Sequence, residues 1–249
     1  PSFVKGANQA VSEDCGAQTV STWASSISRG ADNESSQTLS FTVTNDNDSL
    51  FSTQPAVSAT GVLTYTPTAN ANGSATVTVT LSDNGGTSNG GADTSVSETF
   101  KITVNAVNDT PSFTKGDNQA VSEDCGEITV TGWAKNIYIG PANEATQTYS
   151  FIITTNNDAL FSALPAIDTN GKLSFTPAAN ANGSATVTVS LKDSGGGADT
   201  SSAETFTISI AAVNDSPTLS GAASVSTDED VAYSYNFTID DVEDAGNLT

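Results

Sequence analysis

Acidic side chains recur in this sequence in short clusters whose residue types could bind a metal ion. Carboxylate, amide and backbone carbonyl oxygens suit Ca²⁺, which takes six to eight oxygens at about 2.3–2.6 Å. Clustered carboxylates repel each other unless a cation lies among them. The acid-bearing positions are Glu13-Asp14, Asn33-Glu34, Asp83, Asn108-Asp109, Glu123-Asp124, Asn143-Glu144, Asp193, Asn214-Asp215, Asp228-Glu229-Asp230, Asp240-Asp241 and Glu243-Asp244.

The composition excludes several other kinds of chemistry. The 249 residues include no histidine, which removes Ser-His-Asp catalysis and histidine-ligated zinc. Seven Lys and Arg against 28 Asp and Glu give a net charge of −21, so we expect no nucleic acid and no anionic lipid as partner. The sequence contains no run of about 20 apolar residues, so we predict no membrane-spanning segment. We also expect no enzymatic activity, because the candidate acids are duplicated rather than gathered once in a cleft.

The chain is an internal duplication. Ungapped pairing of 1–86 with 111–196 gives 53 identities in 86 pairs, and a loop four residues shorter follows in the second copy. The predicted domains are therefore 1–110, 111–216 and a remainder, 217–249. Those last 33 residues are too few to close a core, so they are predicted to begin a third repeat.

Each repeat is predicted to be all-β. Apolar and polar residues alternate in segments 39–43, 75–81 and 99–104, and Gly- and Asn-containing turns separate them. About seven short strands in about 105 residues indicate an immunoglobulin-like sandwich. We expect Val77, Val79 and Leu81 on one face of their strand and the threonines on the other, and Trp23 and Trp133 in the two cores.

The two cysteines, Cys15 and Cys125, stand one per repeat at equivalent positions. A disulfide needs Cα atoms within about 7 Å, whereas equivalent points in extended neighbouring domains lie tens of Å apart. Both are therefore predicted to be free thiols, buried as small hydrophobic residues. A bond between chains is the alternative.

Four repeated motifs make the chain resemble a known family. They are Glu-Asp-x-Gly (13–16, 123–126), Asn-Glu-x-x-Gln-Thr (33–38, 143–148), Phe/Tyr-Thr-Pro-x-x-Asn-x-Asn-Gly (65–73, 175–183) and Val-Asn-Asp-x-Pro (107–111, 213–217). Together they are similar to the tandem cadherin-like repeats of large bacterial surface proteins and adhesins. The resemblance covers both full repeats and implies tandem immunoglobulin-like (cadherin-like) β-sandwiches arranged end to end.

In that family Ca²⁺ binds where domains meet, and the resemblance implies two such joints here. The second joint is implied to bind Ca²⁺ more strongly, because segment 239–249 resembles the family's Asp-x-Asp region, which the first two repeats lack. Asn70 and Asn72 also stand where animal cadherins have acids. The implied ligands are Glu13, Asp14, Asn108, Asp109, Asn143, Glu144 and Asp193 at the first joint, and Glu123, Asp124, Asn214, Asp215, Asp241 and Asp244 at the second.

The resemblance implies an extracellular or cell-surface spacer whose joints Ca²⁺ stiffens, with neighbouring repeats of the parent chain as its partners. A different class of function is a module that binds a glycan or another protein, for which Tyr138 and Tyr149 are candidates because the first repeat lacks them. A third hypothesis is that the chain is an accessory domain of an extracellular hydrolase. The acids could also be only a solubilising surface.

Overall fold

Short strands joined by turns make up the described part of the chain. The computed structural model describes residues 1–221, 226, 228–230, 232, 234 and 237–241. The strands are β1 (Ser2–Val4), β2 (Gln9–Ser12), β3 (Gln18–Val20), β4 (Ser25–Ser28), β5 (Leu39–Asn45), β6 (Phe51–Val57), β7 (Leu63–Pro67), β8 (Gly73–Asp83), β9 (Glu98–Asn105), β10 (Ser112–Thr114), β11 (Gln119–Ser122), β12 (Ile128–Val130), β13 (Lys135–Tyr138), β14 (Tyr149–Thr155), β15 (Phe161–Ile167), β16 (Leu173–Pro177), β17 (Gly183–Asp193), β18 (Glu204–Ala211), β19 (Thr218–Ser220) and β20 (Thr238–Asp240). Single 3₁₀ turns cover Asp32–Glu34, Asp48–Leu50, Ser88–Gly90, Ala142–Glu144 and Asp158–Leu160. The predicted all-β fold class is confirmed.

The two repeats have the same sheet topology. In the first, a four-stranded sheet has the order β2-β9-β8-β5 and a three-stranded sheet the order β3-β7-β6. In the second, the corresponding orders are β11-β18-β17-β14 and β12-β16-β15. The pairs β2–β9 and β11–β18 are parallel, and the other pairs of these sheets are antiparallel. Duplication of the sequence has therefore produced two copies of one sandwich.

Alternating apolar residues fill each sandwich, as the sequence pattern predicts. Val77, Val79 and Leu81 of β8 are fully buried. Trp23 is 3% exposed, its ring lies 4.4 Å from that of Phe100, and its Nε1 donates to a backbone oxygen. The second repeat forms the equivalent core around Trp133. Each large apolar side chain buried in this way contributes about 1.5–3 kcal/mol.

The chain divides into two compact units, whose boundaries differ from those of the two sequence repeats. The first unit comprises Pro1–Asp109 together with the loops Ile139–Gln147 and Gly195–Ala198. The second comprises Thr110–Tyr138, Thr148–Ser194 and the described residues from Asp199 onward. Two loops from the second repeat's sequence thus belong to the first unit.

The predicted third repeat, 217–249, is described only in part. Strands β19 and β20 pair antiparallel, from Thr218 opposite Asp240 to Ser220 opposite Thr238. All six of their residues are exposed. Among the described residues, no helix is long and apolar enough to span a membrane.

The prediction for the cysteines is half right. Cys15 and Cys125 are free, as expected, but both are exposed, so the expectation that they are buried is wrong. Each lies in the turn that follows an Asp with positive φ, 59° at Asp14 and 58° at Asp124, and precedes a glycine with positive φ. The backbone of this tight turn runs at the surface, and alternation within strands gives no information about it.

Candidate metal-binding site

A buried glutamate begins the acidic cluster of the first unit. Glu13 follows β2, and its N–H donates to the Asn105 oxygen at the end of β9 over 2.9 Å. Its side chain is only 3% exposed, and Oε1 accepts the N–H of Val107 over 2.8 Å. The amide of Asn143 reaches both carboxylate oxygens of Glu13, at 3.3 and 3.4 Å. The parallel β2–β9 pair therefore sets the position of Glu13.

Two aspartates approach each other around an asparagine. The Asn70 N–H donates to Asp14 Oδ1 over 3.0 Å. One terminal atom of the Asn70 side-chain amide lies 3.2 Å from Asp14 Oδ2 and 3.2 Å from Asp109 Oδ2. With its nitrogen at that position, Asn70 donates to both carboxylates. With its oxygen there, three oxygens converge, which is stable only around a cation.

The loop Ile139–Gln147 adds a second buried glutamate to the cluster. The Asp109 N–H donates to Glu144 Oε1 over 3.1 Å, and Glu144 is 6% exposed. Gly140 has φ +127°, and a Cβ there would lie 1.7 Å from Glu144 Oε2. Only glycine fits at this position, because both the backbone angle and the nearby carboxylate exclude a side chain.

The side chain of Asn108 fixes the segment 106–109, which follows β9. Its Nδ2 donates to the oxygens of Asp109 and Ala198, at 3.0 and 3.2 Å. Its Oδ1 accepts from Gln147 Nε2 over 2.8 Å. A Cβ on Gly195 would lie 1.6 Å from that Oδ1, so glycine is required for this close approach. The two added loops of the first unit thus both contact Asn108.

One carboxyl group of the cluster, that of Asp109, is in an unfavourable electrostatic environment. Burial raises the pKa of Asp109 above its ordinary value, and the nearby Asp14 and Glu13 carboxylates raise this pKa further. These charges destabilise the ionised form of Asp109. Among the described residues, no three aspartate, glutamate or cysteine side chains are grouped closely enough to hold a metal by themselves. The Asn70 amide lies between Asp14 and Asp109, and the Asn143 amide donates to Glu13 alone.

The equivalent residues of the second repeat make several of the same hydrogen bonds. Glu123 is 2% exposed, and its Oε1 accepts the Val213 N–H over 2.7 Å. Its Oε2 is buried and has no hydrogen-bond partner among the described residues. Asp124 Oδ1 accepts the Asn180 N–H over 3.4 Å, and Asn214 Nδ2 donates to the Asp215 oxygen over 2.8 Å.

The structure places the predicted ligands in different parts of the chain. Glu13, Asp14, Asn108, Asp109, Asn143 and Glu144 all lie in the first unit. Asp193 ends β17 in the second unit and is 4% exposed. Asp241 is half-buried after β20, and Asp244 lies outside the described residues. The assignment of all these residues as metal ligands stays a prediction.

Two residues of the cluster are absent from the ligands that the sequence predicts. Asn70 stands out in the sequence only as a departure from animal cadherins, yet its amide links two acids. Gln147 is only part of a repeated motif, yet it binds Asn108. The signal available for both is their recurrence, since Asn180 repeats Asn70 and Gln37 repeats Gln147.

Comparison with solved structures finds cadherin and S-layer protein domains, at low similarity. Human protocadherin-24 EC1-2 is 12% identical, with 84% of this chain and 97% of that chain covered and a TM-score of 0.43. Chicken VE-cadherin EC1-2 is 20% identical, with 82% and 97% covered and a TM-score of 0.31. Domains 4 and 5 of the S-layer protein SbsC are 16% identical, with 69% and 70% covered and a TM-score of 0.30. No model of a protein family matches the sequence, and neither does any curated protein sequence.

Proposed function

We propose that this chain is a non-catalytic, calcium-dependent spacer segment of a large bacterial cell-surface adhesin. The observation that carries the proposal is the cluster of Glu13, Asp14 and Asp109 with Glu144, in which Asp109 N–H donates to Glu144. Neighbouring repeats of the same chain would be its principal partners. The parent protein would be extracellular, where millimolar calcium is available.

The oxygen donors of the first unit are of the type that Ca²⁺ prefers. Oxygens that share a Ca²⁺ at about 2.3–2.6 Å lie about 2.7–3.7 Å from each other. The 3.2 Å separations around the Asn70 amide fall within that range. Carboxylates and amides are hard ligands, whereas zinc and copper favour the histidine that this chain lacks. Asp14, Asn70 and Asp109 would hold the ion, which would also offset the negative charge that Glu13 adds nearby.

Each residue has a part in the proposed stiffening. Without metal, the Asn70 amide would donate to both Asp14 and Asp109, while the Asn143 amide donates to Glu13. With metal, the Asn70 amide would turn its oxygen inward, and Asp109 would remain ionised. Asn108 and the Asp109 N–H would fix segment 106–109 to the loops 139–147 and 195–198 in either state. An ion that binds only the ordered state contributes about 2.7 kcal/mol at 100 times its dissociation constant.

The test compares the chain in millimolar Ca²⁺, in Mg²⁺ and in excess chelator. Small-angle X-ray scattering measures the particle length, and calorimetry measures the melting temperature. The proposal expects Ca²⁺ alone to lengthen the particle and to raise the melting temperature. Asp109→Asn should abolish both effects, whereas Asp117→Asn, the same change at an acid outside the clusters, should keep them. Identical scattering and melting in calcium and chelator would refute the proposal.

A binding module is the second candidate function, and one observation favours it. Tyr138 is 43% exposed, whereas the first repeat has Ser28 at this position. Exposed aromatic rings are suited to stacking on sugars or on apolar side chains. Tyr149 is less available, because its hydroxyl donates to the Thr169 oxygen over 2.7 Å. Titration of polysaccharide fragments into wild type and Tyr138→Ser tests this candidate, which fails if neither protein binds.

A further inference from the structure

We propose that the free edge of β14 in the second repeat is a surface on which two copies of this chain associate, strand to strand. β14 ends the strand order β11-β18-β17-β14, so on one side its backbone has no neighbouring strand among the residues that the structure describes. An unpaired strand edge is a template for another strand unless charge, proline, a bulge or short length protects it. The second repeat protects its other edges but leaves this one open.

The other edge strands of the second repeat have protective features that β14 lacks. β15 carries Pro165 and has irregular register against β16. β11 has four residues and β12 three. β14 has seven residues in unbroken register with β17, no proline and no charge, and the uncharged stretch extends over 145–157. In a chain of net charge −21, an uncharged edge is where two copies meet with the least repulsion.

Alternate residues of β14 direct their backbone N–H and C=O groups to the free edge, in a pattern that a second copy of the strand can match. The Asn156 N–H donates to the Thr186 oxygen, so by alternation the even-numbered residues of β14 bond to β17. The backbone groups of Tyr149, Phe151, Ile153 and Thr155 therefore point to the free edge. A two-fold axis at Ile152 pairs 149 with 155 and 151 with 153 of the second copy, which gives roughly eight hydrogen bonds. All seven residues then overlap, as an isologous interface requires.

Apolar surface at the same edge gives a second reason for association. Ile152 is 45% exposed at the centre of the strand, and the two-fold axis would place it against Ile152 of the second copy. Leu164 is 52% exposed on β15. It lines, with β14, a groove of about 270 Å³ formed by Ile153, Thr154, Thr155, Asp158, Leu164 and Pro165. Covering such a surface removes apolar area from water.

The first repeat serves as an internal control. Its equivalent of Ile152 is Thr42, and its equivalent of Leu164 is Gln54. Gln54 Oε1 accepts from Asn45 over 2.8 Å, and its Nε2 donates to the Asp48 oxygen over 2.9 Å. The first sandwich therefore has a polar, hydrogen-bonded side chain at the end of β5, where the second has Leu164. Apolar residues replace both positions only in the second repeat.

Sedimentation equilibrium of the whole chain in chelator tests this association independently of calcium. We expect a reversible dimer whose dissociation constant lies between about 1 μM and about 1 mM. Dimerisation should strengthen with NaCl, because the Debye length falls from about 30 Å at 0.01 M to about 3 Å at 1 M. A chain that remains monomeric over this range, at both salt concentrations, overturns the proposal.

Substitutions at the centre of the strand identify the surface. Ile152→Lys places two charges at the axis and should weaken the dimer about 100-fold or more, and Ile152→Thr should weaken it about tenfold. Thr42→Lys, the matched change in β5, should leave the dimerisation constant unchanged. All three substitutions fall on exposed side chains, so the melting temperature verifies that each variant is folded. A dimer that survives Ile152→Lys overturns the proposal.

Hydrogen exchange tests the strand pairing itself. Dimerisation should slow exchange at the amides of Phe151, Ile153 and Thr155, while Ile152 and Thr154 are already bonded to β17 in the monomer. Protection that appears only at alternate residues is specific to a strand added at this edge. If these three amides exchange equally fast in monomer and dimer, the two copies do not pair along β14.

Discussion

The backbone N–H of Asp109 donates a 3.1 Å hydrogen bond to Oε1 of Glu144, which lies 35 residues further along the chain. Asp109 ends the Val-Asn-Asp motif that follows the first sandwich, and Glu144 belongs to the second repeat's sequence. The backbone of Asp109 is therefore fixed by one acid while its side chain faces two others, Asp14 and Glu13. This residue combines a structural role with an electrostatic cost.

Asp109→Asn should change stability in opposite directions with and without calcium. In chelator the variant should be up to about 1 kcal/mol more stable, because a carboxylate repelled by Asp14 and Glu13 is removed from a partly exposed site. In millimolar Ca²⁺ it should be less stable than wild type, because a ligand is lost. Thermal unfolding in the two buffers measures both differences. The same sign in both buffers would contradict a metal role for Asp109.

The raised pKa of Asp109 predicts how stability depends on pH. A carboxyl group whose pKa is higher in the folded state binds more protons folded than unfolded, so stability falls as pH rises between the two values. Without metal, wild type should therefore lose stability relative to Asp109→Asn as pH rises through the acid range above the ordinary aspartate pKa. Melting temperatures of the two proteins measured in parallel isolate this group. A difference that does not change with pH argues that the Asp109 pKa is ordinary.

Gly140→Ala should be more damaging than a matched change elsewhere. Gly140 and Gly73 have nearly equal φ, +127° and +132°, so alanine meets a similar backbone penalty at both, on the order of 1–3 kcal/mol. Only at Gly140 would the new Cβ collide with the Glu144 carboxylate, whereas nothing lies within 4 Å at Gly73. We expect an additional loss of about 1–3 kcal/mol and weaker calcium binding for Gly140→Ala alone. Equal losses by chemical denaturation would mean that Glu144 moves aside freely.

Both thiols should react in the native protein. Cys15 and Cys125 are exposed and free, so a thiol reagent should titrate two groups per folded chain without denaturant, and one in Cys15→Ser. Cys15→Ser should change the free energy of unfolding by no more than about 0.5 kcal/mol, as is usual for a surface position. A large loss of stability, or thiols that react only after unfolding, would place these residues in the interior.

Local patterns predict the elements of this fold well, because strand alternation reports directly on burial. The period of two in β8 identifies Val77 and Val79 as core residues, and both are fully buried. The exposure of Cys15 is not predictable in this way, because it depends on a turn with positive φ at Asp14. Residue type favours burial for a cysteine, and the local backbone overrides that preference.

The candidate site is predictable as a set of residue types but not as a set of contacts. The duplication alone marks Glu13 and Asp109 as recurrent acids. The approach of Asn70 to Asp14 joins residues 56 positions apart, and no periodicity encodes such a distance. The amides between the carboxylates also depend on side-chain placement. A sequence pattern can therefore nominate ligands for a metal ion without specifying their arrangement.

The parallel pairing of β2 with β9 also has a mechanical consequence. These strands lie near the beginning and the end of the first repeat, and they are direct neighbours from Gln9 opposite Ile102 to Ser12 opposite Asn105. Tension applied to the two ends of the repeat would pull β2 and β9 in opposite directions along their length. Their evenly spaced hydrogen bonds would then be loaded together in shear rather than opened one after another. The strand order that positions Glu13 therefore also suits each sandwich to bear a tensile load.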